Sequence, residues 1–249
     1  MVRLSVNVNK IATLRNSRGG SVPSVVEAVR VCLVAGAPGI TVHPRADERH
    51  IRRSDVPEVA AVVADWRART GDDVEYNMEG DPRPDFIEMV ERVRPDQCTL
   101  VPVMPGEITS QAGWAIDRPM PGLEDAIARA KAAGVRVSLF VDPDPAAIRW
   151  AASMRADRIE LYTEPFARAF EAGEASGRAS FATYAAAAEV AHGLGLGINA
   201  GHDLDLDNLV LFRTLPHLDE VSIGHAIISR AIHVGLDAVV REYLTVLAA

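Results

Sequence analysis

Lysine is nearly missing from this chain: only Lys10 and Lys131 occur in 249 residues. A Schiff-base aldolase would want a lysine on a strand. Lys131 falls in an Ala-rich helical segment, and only Lys10 comes near one. Cysteine is equally scarce. Cys32 and Cys98 each sit beside apolar residues, which suits buried thiols in a reducing compartment rather than a disulfide framework or a metal site. No stretch approaches the roughly 18 apolar residues of a membrane-spanning helix. Met1 to Lys10 has no apolar core of signal-peptide length. The expectation is a soluble, cytoplasmic protein with no membrane partner. No G-x-G-x-x-G turn follows the first strand pattern, which weakens a doubly wound open sheet. No H-x-H or H-E-x-x-H spacing supports a metal among His43, Glu79 and His202, so no metal is expected.

The formal charge of −8 argues against nucleic acid or an anionic membrane as the main partner. It leaves room for a local anion pocket and for phosphorylated small molecules. Hydrophobic residues make up 48% and charged residues 24%, the balance of an ordinary globular chain. The length suits one (β/α)8 barrel, and a chain this long can bury most of its apolar surface without disulfides or metal.

Short apolar runs alternate with helical periodicity from end to end. Strands are predicted over Arg3–Val8, Gly39–His43, Asp73–Met78, Gln97–Pro102, Val135–Val141, Arg158–Tyr162, Gly195–Asn199 and Glu220–Ile223. Between them the spacing predicts helices over Ser21–Gly36, from Ser54 onward, and over Pro84–Arg94, Leu123–Ala133 and Pro145–Met154. Further helices are predicted in a long region ending at Ala182–Gly193, over Asp205–Phe212, and over Ala226–Leu247. Ser24 is a possible N-cap and Gly36 a C-terminal stop. The Pro/Gly-rich stretch Val103–Gly122 is too long for an ordinary connection, and such loops are often functional. Eight alternating units with right-handed crossovers read as a TIM barrel with extra helices, one domain over residues 1–249.

In such barrels the chemistry sits where strands end. His43 closes the second strand, and a neutral imidazole is a natural general base near pH 7. A hydrogen-bonded structural histidine is the alternative. Glu79 stands at the third strand's exit, where burial would raise its pKa as acid catalysis needs. His202, in Asn199-Ala200-Gly201-His202-Asp203, is a candidate general acid. Arg45, His50, Arg52 and Arg53 form a basic cluster, read either as a solvated loop or as a phosphate site. Gly201 and Gly224 let backbone approach an anion, and Gly224-His225 opens the last helix, a common phosphate position. His192, His217 and His233 read as structural or exposed. Trp114 is either a cap on the closed site or a hydrophobic anchor for its loop.

These residues resemble the pyridoxine 5'-phosphate synthase (PdxJ) family. The matching stretches are Asn7 with Ile11-Ala12-Thr13-Leu14-Arg15-Asn16-Ser17-Arg18-Gly19, then Gly39-Ile40-Thr41-Val42-His43-Pro44-Arg45 and Asp47-Glu48-Arg49-His50-Ile51. Asn77-Met78-Glu79, Leu100-Val101-Pro102, Asn199-Ala200-Gly201-His202 and Ile223-Gly224-His225-Ala226-Ile227-Ile228 follow. They run from the first strand to the last. The resemblance implies a (β/α)8 enzyme without organic cofactor. It would condense 1-deoxy-D-xylulose 5-phosphate with 3-amino-2-oxopropyl phosphate to pyridoxine 5'-phosphate, phosphate and water. His43, Glu79 and His202 would move protons. Arg45, His50 and Thr109 would hold the sugar phosphate. Asn7, Arg18, the loop at His202-Asp203, and Gly224-His225 would hold the amino ketone phosphate. The family forms homo-octamers in which an Arg near strand one can enter a neighbour's site. Rival readings are another barrel isomerase or aldolase on phosphorylated sugars, and a non-catalytic barrel binding a pyridoxine phosphate.

This chain departs from the family where many members carry Asp-His and it has Asn9-Lys10. It departs again after the Val101-Pro102 of the fourth strand, where many carry Glu-Lys-Arg and this chain has Val103-Met104-Pro105-Gly106, and at Asp203, often a glycine. Lys10 could hold an anion in place of the family's histidine, so Asn9 and Lys10 join the candidate substrate-binding residues.

Overall fold

A computed structural model describes residues 1–103, 112–118 and 120–249. The strands are β1 (Arg3–Asn7), β2 (Gly39–Val42), β3 (Glu75–Gly80), β4 (Gln97–Leu100), β5 (Arg136–Val141), β6 (Arg158–Leu161), β7 (Gly197–Ala200) and β8 (Leu218–Ile223). The helices are α1 (Asn9–Asn16), α2 (Val25–Val34), α3 (Asp55–Thr70), α4 (Pro84–Val93), α5 (Leu123–Ala132), α6 (Pro145–Ser153), α7 (Glu164–Glu171), α8 (Glu174–Gly193), α9 (Leu206–Phe212), α10 (His225–Val234) and α11 (Leu236–Ala248). All eight strands are parallel and close in chain order into one barrel, β8 pairing back onto β1. This is the expected (β/α)8 architecture, and the open-sheet alternative falls.

Local chemistry sets the element ends. Ser24 caps α2 by accepting from the Glu27 N–H at 3.2 Å, as predicted. Gly71 ends α3 in the left-handed region at φ 77°, where a side chain would be strained. Asp205 and Asn208 form a reciprocal capping box at the start of α9.

The structure differs from the sequence pattern in four places. Helix α1 has no counterpart among the predicted helices. Only Ala12 and Arg15 of its eight residues are buried, so it carries too little apolar periodicity to be seen. The long region before β7 is two helices, α7 and α8. The closing helix is broken at Gly235, φ 91°, into α10 and α11. Glu79 lies inside β3 rather than after it.

The strands alternate strictly. Leu4, Val6, Ile40, Val42, Met78, Leu100, Leu139, Leu161, Ile198 and Val221 are fully buried in the apolar cluster that spans strands and helices. Most of their neighbours in sequence are polar and belong to the lumen, beside a second apolar cluster of Val101, Phe140 and Tyr162. Barrel interiors are usually filled by branched apolar side chains, whereas here they hydrogen-bond. Thr41 Oγ1 lies 2.7 Å from Ser5 Oγ and accepts from Ser222 at 3.2 Å and Asn77 at 3.2 Å. Thr99 donates to Asn77 at 3.1 Å. Gln97 Oε1 accepts from Arg136 at 3.0 Å and Asn199 at 3.4 Å, and Arg158 donates to Asn199 Oδ1 at 2.8 Å. These bonds join residues of all eight strands.

Ser138 on β5, Glu160 on β6 and Glu220 on β8 stand outside this network, each with a buried oxygen that has no hydrogen-bond partner among the described residues, and Glu220 is the extreme case. It is fully buried, and neither carboxylate oxygen hydrogen-bonds a described residue. Burial, followed by the field of Glu75, raises its pKa from 4.5 to about 8, against a smaller opposing effect of Arg158. The carboxyl therefore keeps its proton in the fold after the unfolded chain has released it. The stability this contributes is complete below about pH 4.5 and is lost as pH rises through about 8. Glu220→Gln keeps the shape and removes the titration. The variant should lose up to about 1.4 kcal/mol less stability per pH unit across that window, read by denaturant melts at several pH values. Parallel pH curves for wild type and variant would show that Glu220 ionises freely.

Candidate active site

A cavity of about 280 Å³ opens at the C-terminal end of the barrel. Asn7, Asn9, Lys10, His43, Arg45, His50, Glu79, His202, Asp203, Gly224 and His225 all line it. Of the remaining predicted site residues, Arg18 is exposed and does not line this cavity. Thr109 lies outside the described residues. Arg52 and Arg53 also stay out of the cavity, and Arg53 pairs with Asp85 at 2.5 Å instead. The basic cluster at the mouth thus reduces to Arg45 and His50.

The arrangement begins at the β1 exit. Asn7 Oδ1 accepts from the Asn9 N–H at 3.0 Å, and Asn7 Nδ2 donates to Glu79 Oε2 at 3.4 Å. Asn9 Oδ1 accepts from the His43 backbone N–H at 2.9 Å. The amide offers His43 the same kind of acceptor oxygen that an aspartate would, without adding a charge. His43 Nδ1 lies 3.8 Å from Glu79 Oε2.

Helix α1 also holds the loop that carries Arg45 and His50. Arg15 makes a two-pronged, buried pair with Asp55 at the start of α3, 2.6 and 2.9 Å, and reaches the His50 carbonyl at 3.2 Å. Asn16 donates to the carbonyls of Glu48 at 3.1 Å and His50 at 2.7 Å. The His50 ring accepts from the Ile51 N–H through Nδ1 at 3.0 Å, leaving Nε2 as its second polar atom.

At the far side, Gly201 follows β7, and any Cβ there would stand 2.1 Å from the Ser222 carbonyl oxygen. Only glycine allows the two strand ends so close. His202 follows, its ring against Phe140 at 5.0 Å and Tyr162 at 6.0 Å, and its Nδ1 3.9 Å from Glu160. Asp203 adopts φ 61°, a left-handed conformation that glycine enters without strain and few other residues adopt. Gly224 precedes α10, and Gly224, His225 and Ala226 at the start of that helix line the cavity, where the first turn's N–H groups have no partner within the helix.

Burial sorts the protons. It pushes Glu79 up to about 8, with Glu220 adding to the shift, so its carboxyl is protonated at neutral pH. Burial, then the charges of His50, Arg45 and Arg83, holds His43 well below its usual value as a neutral imidazole. His50 falls to about 4 through burial, Arg45 and Lys10, and His202 falls mainly through burial. A neutral base therefore faces a protonated acid.

Glu160 is a site residue that strand-exit placement does not single out. It lines the cavity, is 2% exposed, and its Oε2 has no hydrogen-bond partner among the described residues; burial and Glu79 push its pKa well up. The alternation Ile159-Glu160-Leu161 becomes a signal only once the barrel is closed and the apolar positions of the strand are known to face the helices. Trp114 proves to be an anchor: its indole donates to the Leu100 carbonyl at 2.9 Å while its backbone N–H donates to Phe140.

Among the described residues no helix is long and apolar enough to cross a membrane, and no cluster of three or more His, Cys, Asp or Glu could hold a metal.

The model of the family described as pyridoxal phosphate biosynthesis protein PdxJ matches residues 4–249. Curated relatives include the pyridoxine 5'-phosphate synthase of Porphyromonas gingivalis, 51% identical over all of both chains. That of Leptospira biflexa is 47% identical over 100% of this chain and 98% of its own. Solved structures share the fold at low identity. Thiamine phosphate pyrophosphorylase from Pyrococcus furiosus superposes with a TM-score of 0.63 at 14% identity, covering 99% of this chain and 96% of its own. Phosphoribosyl anthranilate isomerase from Thermotoga maritima gives 0.61 at 10%, covering 100% and 99%.

Breaking the buried Arg15–Asp55 pair strands a charge in the protein. Asp55→Ala should cost roughly 3–5 kcal/mol of stability, measured by chemical denaturation. A loss below about 1 kcal/mol would show that the pair does not hold the His50 loop.

Proposed function

The chain belongs to the PdxJ family of pyridoxal phosphate biosynthesis proteins, and from that membership and the chemistry of the cavity we propose that it is a pyridoxine 5'-phosphate synthase. It is an enzyme that joins 1-deoxy-D-xylulose 5-phosphate to 3-amino-2-oxopropyl phosphate and closes the pyridine ring of vitamin B6, releasing phosphate and water. The observation that carries this reading is the neutral imidazole of His43 facing the protonated carboxyl of Glu79, between two ends suited to anions.

The roles follow from protonation state. The amino group attacks the sugar ketone, and loss of water gives an imine. Each later elimination needs a proton taken from carbon or oxygen and a proton given to a departing hydroxyl. His43 has the free lone pair to take one, and Glu79 has the proton to give. His202, on the opposite wall, donates to the second substrate's oxygen. Arg45 and Lys10 supply the cationic end for the sugar phosphate, with the neutral His50 imidazole as a polar contact beside them. Gly224 and His225, at the N-terminus of α10, supply the other phosphate site together with Asn7 and Asp203. Glu160, protonated and within 3.9 Å of His202, is placed to orient that imidazole.

The same reading carries the family's assembly, a cytoplasmic homo-octamer in which Arg18 reaches a neighbouring copy's site. Its support is an exposed Arg18 among exposed apolar neighbours, Leu14 at 54% and Val22 at 79%. Sedimentation should give a mass near eight chains, and Arg18→Ala should raise KM more than it lowers kcat. A monomeric active enzyme would reject this part.

Turnover should need Glu79 protonated and His43 neutral, so the rate should fall as pH rises through about 8. Glu79→Gln and His43→Asn should each lower kcat by about 10² to 10⁴-fold with the fold retained. Coupled product formation followed against pH checks both. A wild-type rate in either variant would remove that residue from the mechanism.

A further inference from the structure

We propose that this cavity is also a site of reversible covalent inhibition: it binds a phosphorylated pyridine aldehyde, the product oxidised at its C4' alcohol as in pyridoxal 5'-phosphate, and Lys10 Nζ condenses with that aldehyde. The inference rests on the synthase reading and adds a regulatory ligand and a modification site to it.

Atom bookkeeping places the aldehyde. The product's ring carbon beside nitrogen carries a methyl group, so that carbon comes from the sugar ketone. The sugar's phosphate-bearing C5, after losing phosphate and gaining water, then becomes C4'. The retained 5'-phosphate is that of the amino ketone. A bound product therefore keeps its phosphate at the α10 end and turns C4' toward the end that the departed phosphate occupied, where Arg45 and His50 stand. Lys10 lines the same cavity. It is next in sequence to Asn9, whose side chain accepts from the His43 N–H at 2.9 Å, two residues before Arg45. An alcohol at C4' offers this amine nothing to attack. An aldehyde there does.

The step balances without a further reactant. The unprotonated amine adds to the carbonyl carbon, the carbinolamine loses its oxygen as water, and a C=N bond replaces C=O. Water reverses it. Acid–base groups for the dehydration are already at the site, in Glu79 and His202. Specificity is unusually clear because the chain has one other lysine. Lys131 lies on α5, where its Nζ donates to the Arg155 carbonyl at 2.8 Å and to Asp157 at 2.7 Å.

The test incubates the full-length protein with pyridoxal 5'-phosphate, reduces with borohydride and maps the adduct by mass spectrometry. One pyridoxyl phosphate group is expected on Lys10. Excess pyridoxine 5'-phosphate should suppress it, and pyridoxamine 5'-phosphate, which has no aldehyde, should give none. Lys10→Arg and Lys10→His should lose the label, and Lys131→Arg should keep it. Label confined to Lys131 or the Met1 amine, or label on Lys10 that pyridoxine 5'-phosphate does not suppress, would overturn the proposal. The same preparation is assayed with both substrates. Product formation with an unlabelled Lys10 rejects this inference and leaves the synthase standing. A protected label on Lys10 without product formation supports the lysine chemistry and rejects the synthase.

Discussion

A closed barrel whose lumen is polar has to satisfy its buried groups from within, and this constraint organises the whole molecule. An unpaired buried hydroxyl or amide costs on the order of 1–3 kcal/mol. Ser5, Thr41, Asn77, Thr99, Gln97, Asn199 and Ser222 avoid that cost by bonding across strands, with Arg136 and Arg158 completing the set. Apart from the Gln97–Thr99 contact within β4, the partners of each strand come from other strands. The network exists only once the barrel closes, so closure and polar satisfaction are one event. The apolar faces of the same strands meet the helices and provide the driving force.

That lumen forms the floor of the cavity and determines its electrostatics. Three carboxyl groups, Glu79, Glu160 and Glu220, sit in or under the site with few partners, and burial favours their neutral form. Cations at the mouth act in the same sense on the imidazoles, keeping His43 and His50 unprotonated. A desolvated pocket thereby contains acid and base together at neutral pH without the two neutralising each other as an ion pair. The arrangement resembles a general principle of acid–base sites, in which environments push the pKa values of neighbouring groups away from their solution order.

Precision at the mouth comes from a smaller device. Helix α1 buries almost no apolar surface, yet its Arg15 and Asn16 fasten the loop after β2 to the start of α3. The loop can then present Arg45 and His50 at a defined place. The β1 exit contributes through Asn7 and Asn9, which tie Glu79 and the His43 backbone to one another. Asn9 does with an amide oxygen what a carboxylate could do, and it does so without adding a charge beside His43. Lys10, next in sequence, brings the charge to the cavity instead.

Much of this is legible in the chain itself. Alternating strand and helix patterns determine a parallel barrel, because each strand's apolar neighbours can be covered only by the helix that follows. Placement at strand exits singles out His43, Glu79, His202 and the Gly224-His225 turn, since side chains there must face one end of the barrel. The sequence does not show that Glu160 joins them, because a lone glutamate in a strand looks alike whether it faces lumen or solvent until the register is known. Nor does it separate Arg45 and His50 from Arg52 and Arg53, which differ only in where the loop turns. Helix α1 leaves no mark in the pattern because it is held by polar bonds to residues some 30 to 40 positions away, not by an apolar stripe of its own. Protonation states are decided last and only by tertiary structure, because desolvation depends on what the whole fold packs around a group.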